Sequence, residues 1–327
     1  MIKEFLKNKL RIAVTGVGGG VGQSIIKCLK ESNYDIIGLD SEKSATGLYM
    51  CDKSYIIPYA KDKKYIDSLL DICKKENVSI LFPGLDAELS KLSKSRELFL
   101  KIGVNVIVSN KDVIDIANNK LRSYTFFKNN NFVKTKSYSR NNIGEFDFPV
   151  IIKQKKDGCR SKNILKIKSK REFNEFNKNK KLKDTELIIC EYLDGEEYTC
   201  GSVSFEDKIL GTIVMKRVLR NGDTYKCSTV KNTIIENYIV DLISKLKPYG
   251  ACNVQLRLKE NVPIAFEINA RCSGTTAARS LCGFNEPLII ADYLVKKRKP
   301  KLDIKPLSIF RYWNEIVIDS IRFNENK

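Results

Sequence analysis

The chain has no histidine among its 327 residues. Every mechanism that needs an imidazole is therefore excluded, including Ser-His-Asp and Cys-His catalysis. Ten cysteines are present, yet none forms a C-x-x-C pair, and several, such as Cys28 and Cys73, fall at apolar positions. That usage fits a reduced, cytoplasmic chain and argues against a disulfide framework or a zinc site. No apolar run approaches the roughly 20 residues of a membrane span. The opening stretch, M-I-K-E-F-L-K-N-K-L, carries charge without a long apolar core, which argues against a secretory signal. No internal repeat is found.

What is present fits a folded chain of two or three domains, with 43% hydrophobic residues and enough length for a sizeable core. The net charge of +19 would ordinarily point to nucleic acid. Here lysine is spread along the chain, with no basic helix and no array of stacking aromatics. A solvated basic surface that attracts small anions is the better reading. No nucleic-acid partner and no membrane association are expected.

The most informative stretch is I-A-F-E-I-N-A-R-C-S-G, from Ile264 to Gly274. Ile264, Phe266 and Ile268 alternate with Ala265, Glu267 and Asn269, which predicts a strand with one polar face. Upstream, Cys252, Val254, Leu256 and Leu258 alternate with Asn253, Gln255 and Arg257. The polar K-E-N-V between the two runs predicts a hairpin. Pairing Gln255 with Glu267 keeps the faces segregated and asks for an odd-numbered loop. Gln255, Glu267 and Asn269 then converge as oxygen donors of the kind Mg2+ takes, and Arg271 stands beside them for a phosphoryl oxygen. From the residues alone, an ordinary polar surface strand reads equally well.

The N-terminal third alternates strands and helices. Leu10 to Thr15 predicts a strand, G-V-G-G-G-V-G a turn, and the spacing of Val21, Ile25, Cys28 and Leu29 a helix. Asp40 ends the next strand, about where a dinucleotide ribose would be held. Gly16 and Gly18 fit G-x-G-x-x-G, but Val21 takes the third position and only a longer spacing reaches Gly22. Strands at 78–82 and 104–108, with helices between, predict a parallel sheet covered on both faces. Further on, F-P-V-I-I-K predicts a buried strand ending on Lys153, a costly placement unless an anion pairs with it. Capping is expected at Ser109, at Ser169 with Glu172, and at Thr233 with Glu236. A helix from the T-T-A-A run to Gly283 would point N–H groups at an anion. Leu307 to Ile321, with Trp313, predicts a closing strand.

The runs N-V-Q-L (253–256) and F-E-I-N-A-R-C-S-G (266–274) resemble the metal-site signature of the ATP-grasp superfamily, above all the branch of the carbamoyl-phosphate synthase large subunit. The likeness runs from about Leu10 to Val295. It implies a Rossmann-like domain at 1–112 that binds no dinucleotide. A two-lobed ATP-grasp fold would follow, with a small lobe at 113–190, a large lobe with the metal site at 191–302 and a tail at 303–327. The fold class is thus α/β and α+β.

The resemblance also implies site residues. Gln255, Glu267 and Asn269 would hold Mg2+, for which Mn2+ can substitute, and Arg271 would stabilise the phosphoryl group. Lys153 would reach the ATP phosphates, helped by Lys120 and by Ser161 in a loop poorer in glycine than the family's. Glu191, Tyr192 and Leu193 would frame adenine, and Glu197 would hold the ribose. Glu88, in a D-x-E-L run that resembles that branch, would face the cleft, although a plain helix N-terminal acid explains it equally well. Arg217 or its neighbour Lys216, and Arg279, are possible substrate contacts. The implied activity is an ATP-dependent ligase joining a small carboxylate to an amine or ammonia through an acyl phosphate. A homodimer is compatible with this reading. The alternatives are a carbamoyl-phosphate-synthase-like kinase acting on bicarbonate or carbamate, an NAD(P)-dependent oxidoreductase built on the glycine turn, and a non-catalytic nucleotide-binding module.

Overall fold

The computed structural model describes residues 10–132, 137–138, 147–155, 164–178 and 187–319. In the N-terminal part, strands β1 (Arg11–Thr15), β2 (Asp35–Asp40), β3 (Lys53–Ile56), β4 (Ile80–Phe82) and β5 (Asn105–Val106) form a five-stranded sheet ordered β3-β2-β1-β4-β5. All its pairings are parallel. Helices α1 (Gly20–Leu29), α2 (Tyr65–Lys75) and α3 (Asp86–Lys101) supply the crossovers. This is the expected Rossmann-like arrangement. Strand β3 gives no period-two signal, because both its ends are exposed.

The glycine turn is filled by the protein itself. Gly16 has φ +60°, and the Leu85 side chain lies where its Cβ would project. Asp40 Oδ2 accepts from the Gly18 N–H at 2.7 Å. The ribose-catching acid of a dinucleotide site is therefore already committed to the turn. Gly22 provides the close approach that the imperfect spacing obscures: a Cβ there would stand 2.4 Å from the Gly16 carbonyl oxygen. Backbone cannot yield cheaply, so Gly22→Ala should cost about 1–3 kcal/mol, read from a urea unfolding midpoint.

Helices α4 (Lys111–Asn118) and α5 (Lys120–Asn129) lead out of this domain. Asn110, rather than Ser109, caps α4, accepting from the Val113 N–H at 3.0 Å. Ser109 instead accepts from the Tyr249 N–H. A four-stranded sheet follows, ordered β6-β9-β7-β8, built from β6 (Ser137–Tyr138), β7 (Val150–Gln154), β8 (Leu165–Ile167) and β9 (Leu187–Glu191). With α6 (Lys170–Lys178) it closes its own small core around Val150, Ile152 and Phe173. Ser169 caps α6 as expected, accepting from Glu172 N–H at 3.3 Å.

The largest sheet has six strands in the order β14-β13-β10-β11-β12-β15. These are β10 (Glu196–Phe205), β11 (Lys208–Arg220), β12 (Asp223–Thr229), β13 (Tyr249–Lys259), β14 (Val262–Asn269) and β15 (Ser308–Phe310). Its pairings are antiparallel. Helix α7 (Thr233–Leu246) buries Ile235, Ile239 and Leu242 against one face. Its cap is Asn232, one residue before the expected Thr233. The closing strand shrinks to β15, and Trp313 is 96% exposed.

Helices α8 (Thr276–Leu281) and α9 (Glu286–Lys296) bind the large sheet to the N-terminal domain. Ser24 donates to the Gly274 carbonyl, Tyr34 to Asp292 and Asn285 to the Cys28 carbonyl. Two buried clusters each combine residues of both sheets, so the N-terminal domain and the large sheet share continuous apolar cores. The small sheet keeps a separate core. Among the described residues, no helix is long and apolar enough to cross a membrane. All the described cysteines are free, and burial pushes the Cys200 and Cys252 thiols up to about 12. They are neutral, packed side chains rather than nucleophiles or metal ligands.

Candidate active site

The hairpin forms in the expected register, by a different route. Gln255 pairs with Glu267, Val254 with Ile268 and Asn253 with Asn269. The turn, however, has two residues, Glu260 and Asn261, both at positive φ (50° and 62°). That is the backbone of a type I′ turn. Continued unbroken, its register would place Phe266 opposite Gln255. A β-bulge between Gln255 and Leu256 shifts the partner by one, so that Phe266 is the extra residue and Glu267 returns to the polar face.

That face is the floor of the site. Directly opposite residues share a face, which places Glu197 and Thr199 of β10, Asn253, Gln255 and Arg257 of β13, and Glu267 and Asn269 of β14 together. Asn269 Nδ2 lies 3.4 Å from Glu267 Oε1, and Asn269 Oδ1 lies 3.4 Å from Arg271 Nη2. Arg217 reaches the same floor from β11. It donates through Nε (2.9 Å) and Nη2 (2.5 Å) to Glu197 Oε1, and through Nη2 to Gln255 Oε1 at 2.7 Å. Arg257 donates to the other Glu197 oxygen at 2.6 Å. Glu197, 12% exposed, is thus held between two guanidinium groups. Lys216 turns to the opposite face, half-exposed and paired with Glu196, as alternation requires.

The small sheet supplies the facing side. Lys153 Nζ, on β7, stands 6.0 Å from the ring centroid of the bulged Phe266. The Lys120 N–H donates to the Lys155 carbonyl at 2.9 Å, fixing the start of α5 to the end of β7. Beyond β9, the Tyr192 N–H is used on the Pro149 carbonyl, and Lys166 Nζ lies 3.4 Å from the Tyr192 ring centroid. Tyr192 therefore has no N–H to give a base, and its ring is covered by Lys166. Glu191 ends β9 and Leu193 follows it outside the ladder. Ser161 lies outside the described residues.

Two sequence-based expectations are corrected. Glu88 does not face the cleft: it is fully buried and caps α3. Its Oε1 accepts from Thr15 Oγ1 (2.7 Å) and from the Gly84 and Leu85 N–H groups (2.9 and 2.8 Å), and Tyr65 donates to Oε2. Burial pushes its carboxyl up, against the pull of those donors. The acid that does reach the site is Asp86, two residues earlier. Its carboxylate receives Arg271 Nε at 2.7 Å and Nη2 at 2.5 Å, a fork of the bidentate kind. Arg279 is the second correction. It is 0% exposed and bonded to Glu286 at 2.8 Å, to Thr199 at 3.0 Å and to Asn253. No surface remains for a substrate; Arg279 instead lies buried on the same sheet face, bonded to Thr199 and Asn253 of the floor. The N–H groups near the start of α8 are also taken, with Ser273 N–H bonded to Thr276 and Thr275 N–H to Ser273.

Sequence reasoning passed over Asp86 and Arg257. Both had a signal: Asp86 opens the same D-x-E-L run as Glu88, and Arg257 alternates in step with Gln255. Around the floor, Lys153, Arg217, Arg257 and Arg271 outnumber Glu197, Glu267 and Asp86 by one positive charge, which favours an anionic ligand. Glu267 with the amide oxygens of Asn269 and Gln255 forms a hard-oxygen set with one carboxylate, a donor chemistry that fits Mg2+. Among the described residues, no three His, Cys, Asp or Glu side chains group to hold a metal ion, so a zinc-type site is not built there.

Known proteins point the same way. Residues 12–107 match the model of the PylC-like N-terminal domain, and residues 183–313 that of the ATP-grasp in the biosynthetic pathway with Ter operon. The carbamoyl phosphate synthase large chain of Pseudothermotoga lettingae is 25% identical over 348 residues, covering 96% of this chain. The chain spans 30% of that relative's length. The L-amino acid ligase of Bacillus licheniformis shares the fold at a TM-score of 0.72 and 12% identity, covering 92% of this chain and 79% of that one. The N5-carboxyaminoimidazole synthetase of Staphylococcus aureus, complexed with ADP, superposes at 0.69 with 15% identity, covering 93% and 81%. The chain thus resembles the ATP-grasp superfamily: residues 183–313 carry the ATP-grasp match, behind a PylC-like N-terminal domain. Its sequence resemblance runs to the branch that contains the carbamoyl phosphate synthase large chain.

Proposed function

We propose that the chain is an ATP-dependent carboxylate–amine ligase that works through an acyl phosphate, with MgATP held between the small sheet and the large one. The observation that carries this reading is the convergence of Glu267, Asn269 and Arg271 on one sheet face, with Lys153 of the other sheet opposite. Phosphoryl transfer needs positioning and charge neutralisation more than covalent help from the protein.

Each residue then has a task. Lys153 and Lys120 hold phosphate oxygens from the small-sheet side. Leu193 N–H and the Glu191 carbonyl edge the adenine, and Glu197 takes the ribose hydroxyls. Glu267, Asn269 and Gln255 would hold Mg2+, which when bound would supply positive charge to neutralise the nucleotide phosphates. Arg271 aligns the acid's carboxylate for attack on the γ-phosphorus and neutralises the phosphoryl group as it moves. Arg217 fixes Gln255 and Glu197 relative to one another. Residues 113–190 and 191–302 act as the two lobes that close on the nucleotide.

The test is ADP and phosphate release across a panel of amino and sugar acids, with ammonia or amino acids as acceptors. Release that depends on both an acid and Mg2+ supports the reading; nucleotide binding without turnover favours a non-catalytic module. The carbamoyl phosphate synthase likeness gives a second reading, a bicarbonate kinase, marked by bicarbonate-dependent ADP release that no other acid supports. Glu197→Gln should raise the KM for ATP about tenfold, because a charged hydrogen-bond acceptor is lost, with a smaller change in kcat.

A further inference from the structure

Resting on the ligase reading, one question stays open: what receives the amine in a chain without histidine? The answer must lie where the acyl phosphate forms, beside Arg271. The residue placed there is Asp86. It belongs to the N-terminal domain, at the start of α3, while Arg271 follows β14 of the large sheet. The pair therefore bridges two parts of the molecule far apart in sequence. Arg271 is 10% exposed and Asp86 34%, so the carboxylate sits on the open side of the pair and the guanidinium on the closed side. In its fork with Arg271, the Asp86 carboxylate occupies the position that a substrate carboxylate or phosphoryl group would take. The neighbouring first-turn acid, Glu88, is locked into the cap, which leaves Asp86 as the first-turn acid of α3 that reaches the site.

We infer that Asp86 receives the nucleophile: it binds the ammonium form of the incoming amine and accepts its proton once the substrate's own anion has taken over Arg271. In this step the ammonium N–H bond breaks and its proton passes to the Asp86 carboxylate. The freed nitrogen lone pair forms the C–N bond at the acyl carbon. The C–O bond to phosphate breaks with its electron pair on the leaving phosphate, which takes the second nitrogen proton. No oxidant or further reactant is needed. The role is catalytic, since Asp86 touches the reacting nitrogen, and it differs from that of a latch between domains.

The experiment compares two nucleophiles on one acyl phosphate. Hydroxylamine is uncharged at neutral pH and captures the intermediate as a hydroxamate without needing an ammonium site. The acid giving the fastest ADP release is used, with ammonium chloride or glycine as the amine. In Asp86→Asn, amine-dependent kcat/KM should fall about 100-fold, the usual worth of a general base, with hydroxamate formation held within about threefold. Asp86→Glu should keep at least about a tenth of the amine-dependent kcat/KM, because the carboxylate is retained. Unchanged amine use in Asp86→Asn overturns the inference. So does a parallel loss of hydroxamate and amide, whether from unfolding or from a displaced Arg271. If the wild type itself gives no acid-dependent hydroxamate, the ligase reading fails first, and the role of Asp86 with it.

Discussion

Glu267→Ala should lower kcat/KM for ADP release by about 10²–10³-fold, the range found when one preorganised electrostatic contact to a transition state is removed. The argument rests on position. Glu267 is the carboxylate of its donor set, paired across the hairpin with Gln255 and next to Asn269 on the same face. It is half-buried, and its contact with Asn269 is long, at 3.4 Å, so the fold depends on it little. The unfolding midpoint should therefore move by less than about 1 kcal/mol equivalent while activity collapses. Glu267→Gln should behave similarly, since it keeps the shape and loses the charge. Turnover close to wild type in either variant would remove the metal hairpin from the mechanism.

Arg279→Met should give the largest loss of stability, about 3–5 kcal/mol, the usual cost of leaving one half of a buried ion pair alone. Arg279 and Glu286 are both 0% exposed. Their surroundings are tight: a Cβ on Gly201 would stand 2.6 Å from both Arg279 Nη1 and Glu286 Oε1. The second Glu286 oxygen is met by Thr276, so the carboxylate is fully engaged. Among the described residues Arg279 Nε has no partner, which makes the pair a costly arrangement to maintain. Two apolar residues of similar volume should recover most of what the single change loses. The double variant Arg279→Met with Glu286→Leu is thus expected to unfold at a higher urea concentration than Arg279→Met alone. A double variant no more stable than the single one would show that the network's other bonds, to Thr199 and Asn253, set the cost.

The sequence made some of this legible. Strict alternation carried the polar faces of β13 and β14 and the opposite facing of Lys216 and Arg217, because strand geometry has a period of two. The pairing of Gln255 with Glu267 followed from keeping those faces segregated. Its mechanism did not: an odd loop and a two-residue turn with a bulge give the same register, and no residue pattern separates them. Helix starts were misplaced by one at Asn110 and Asn232, where the asparagine next to the expected Ser or Thr took the cap. The choice between Asp86 and Glu88 was beyond local patterning. Both are acids in one helical turn, and which of them turns inward depends on Thr15, Tyr65 and Arg271, three residues remote in sequence. Arg279 misled for a related reason: an arginine near a site is as readily a buried structural partner of its residues as a contact for substrate.

The fold itself contributes to the account. The N-terminal domain carries a glycine turn and a well-placed Asp40, yet those groups are bonded to each other, and Leu85 covers Gly16. The same domain also docks on the large sheet. Through α1 it supports α8 and α9, and through Asp86 it reaches Arg271.

The most direct measurement is a crystal structure of the protein with MgADP. The account places an ion about 2.0–2.1 Å from side-chain oxygens of Glu267 and Asn269, the ordinary Mg2+ distance, with the nucleotide phosphates between it and Lys153. A nucleotide bound elsewhere, or an ion that leaves Glu267 untouched, would contradict it.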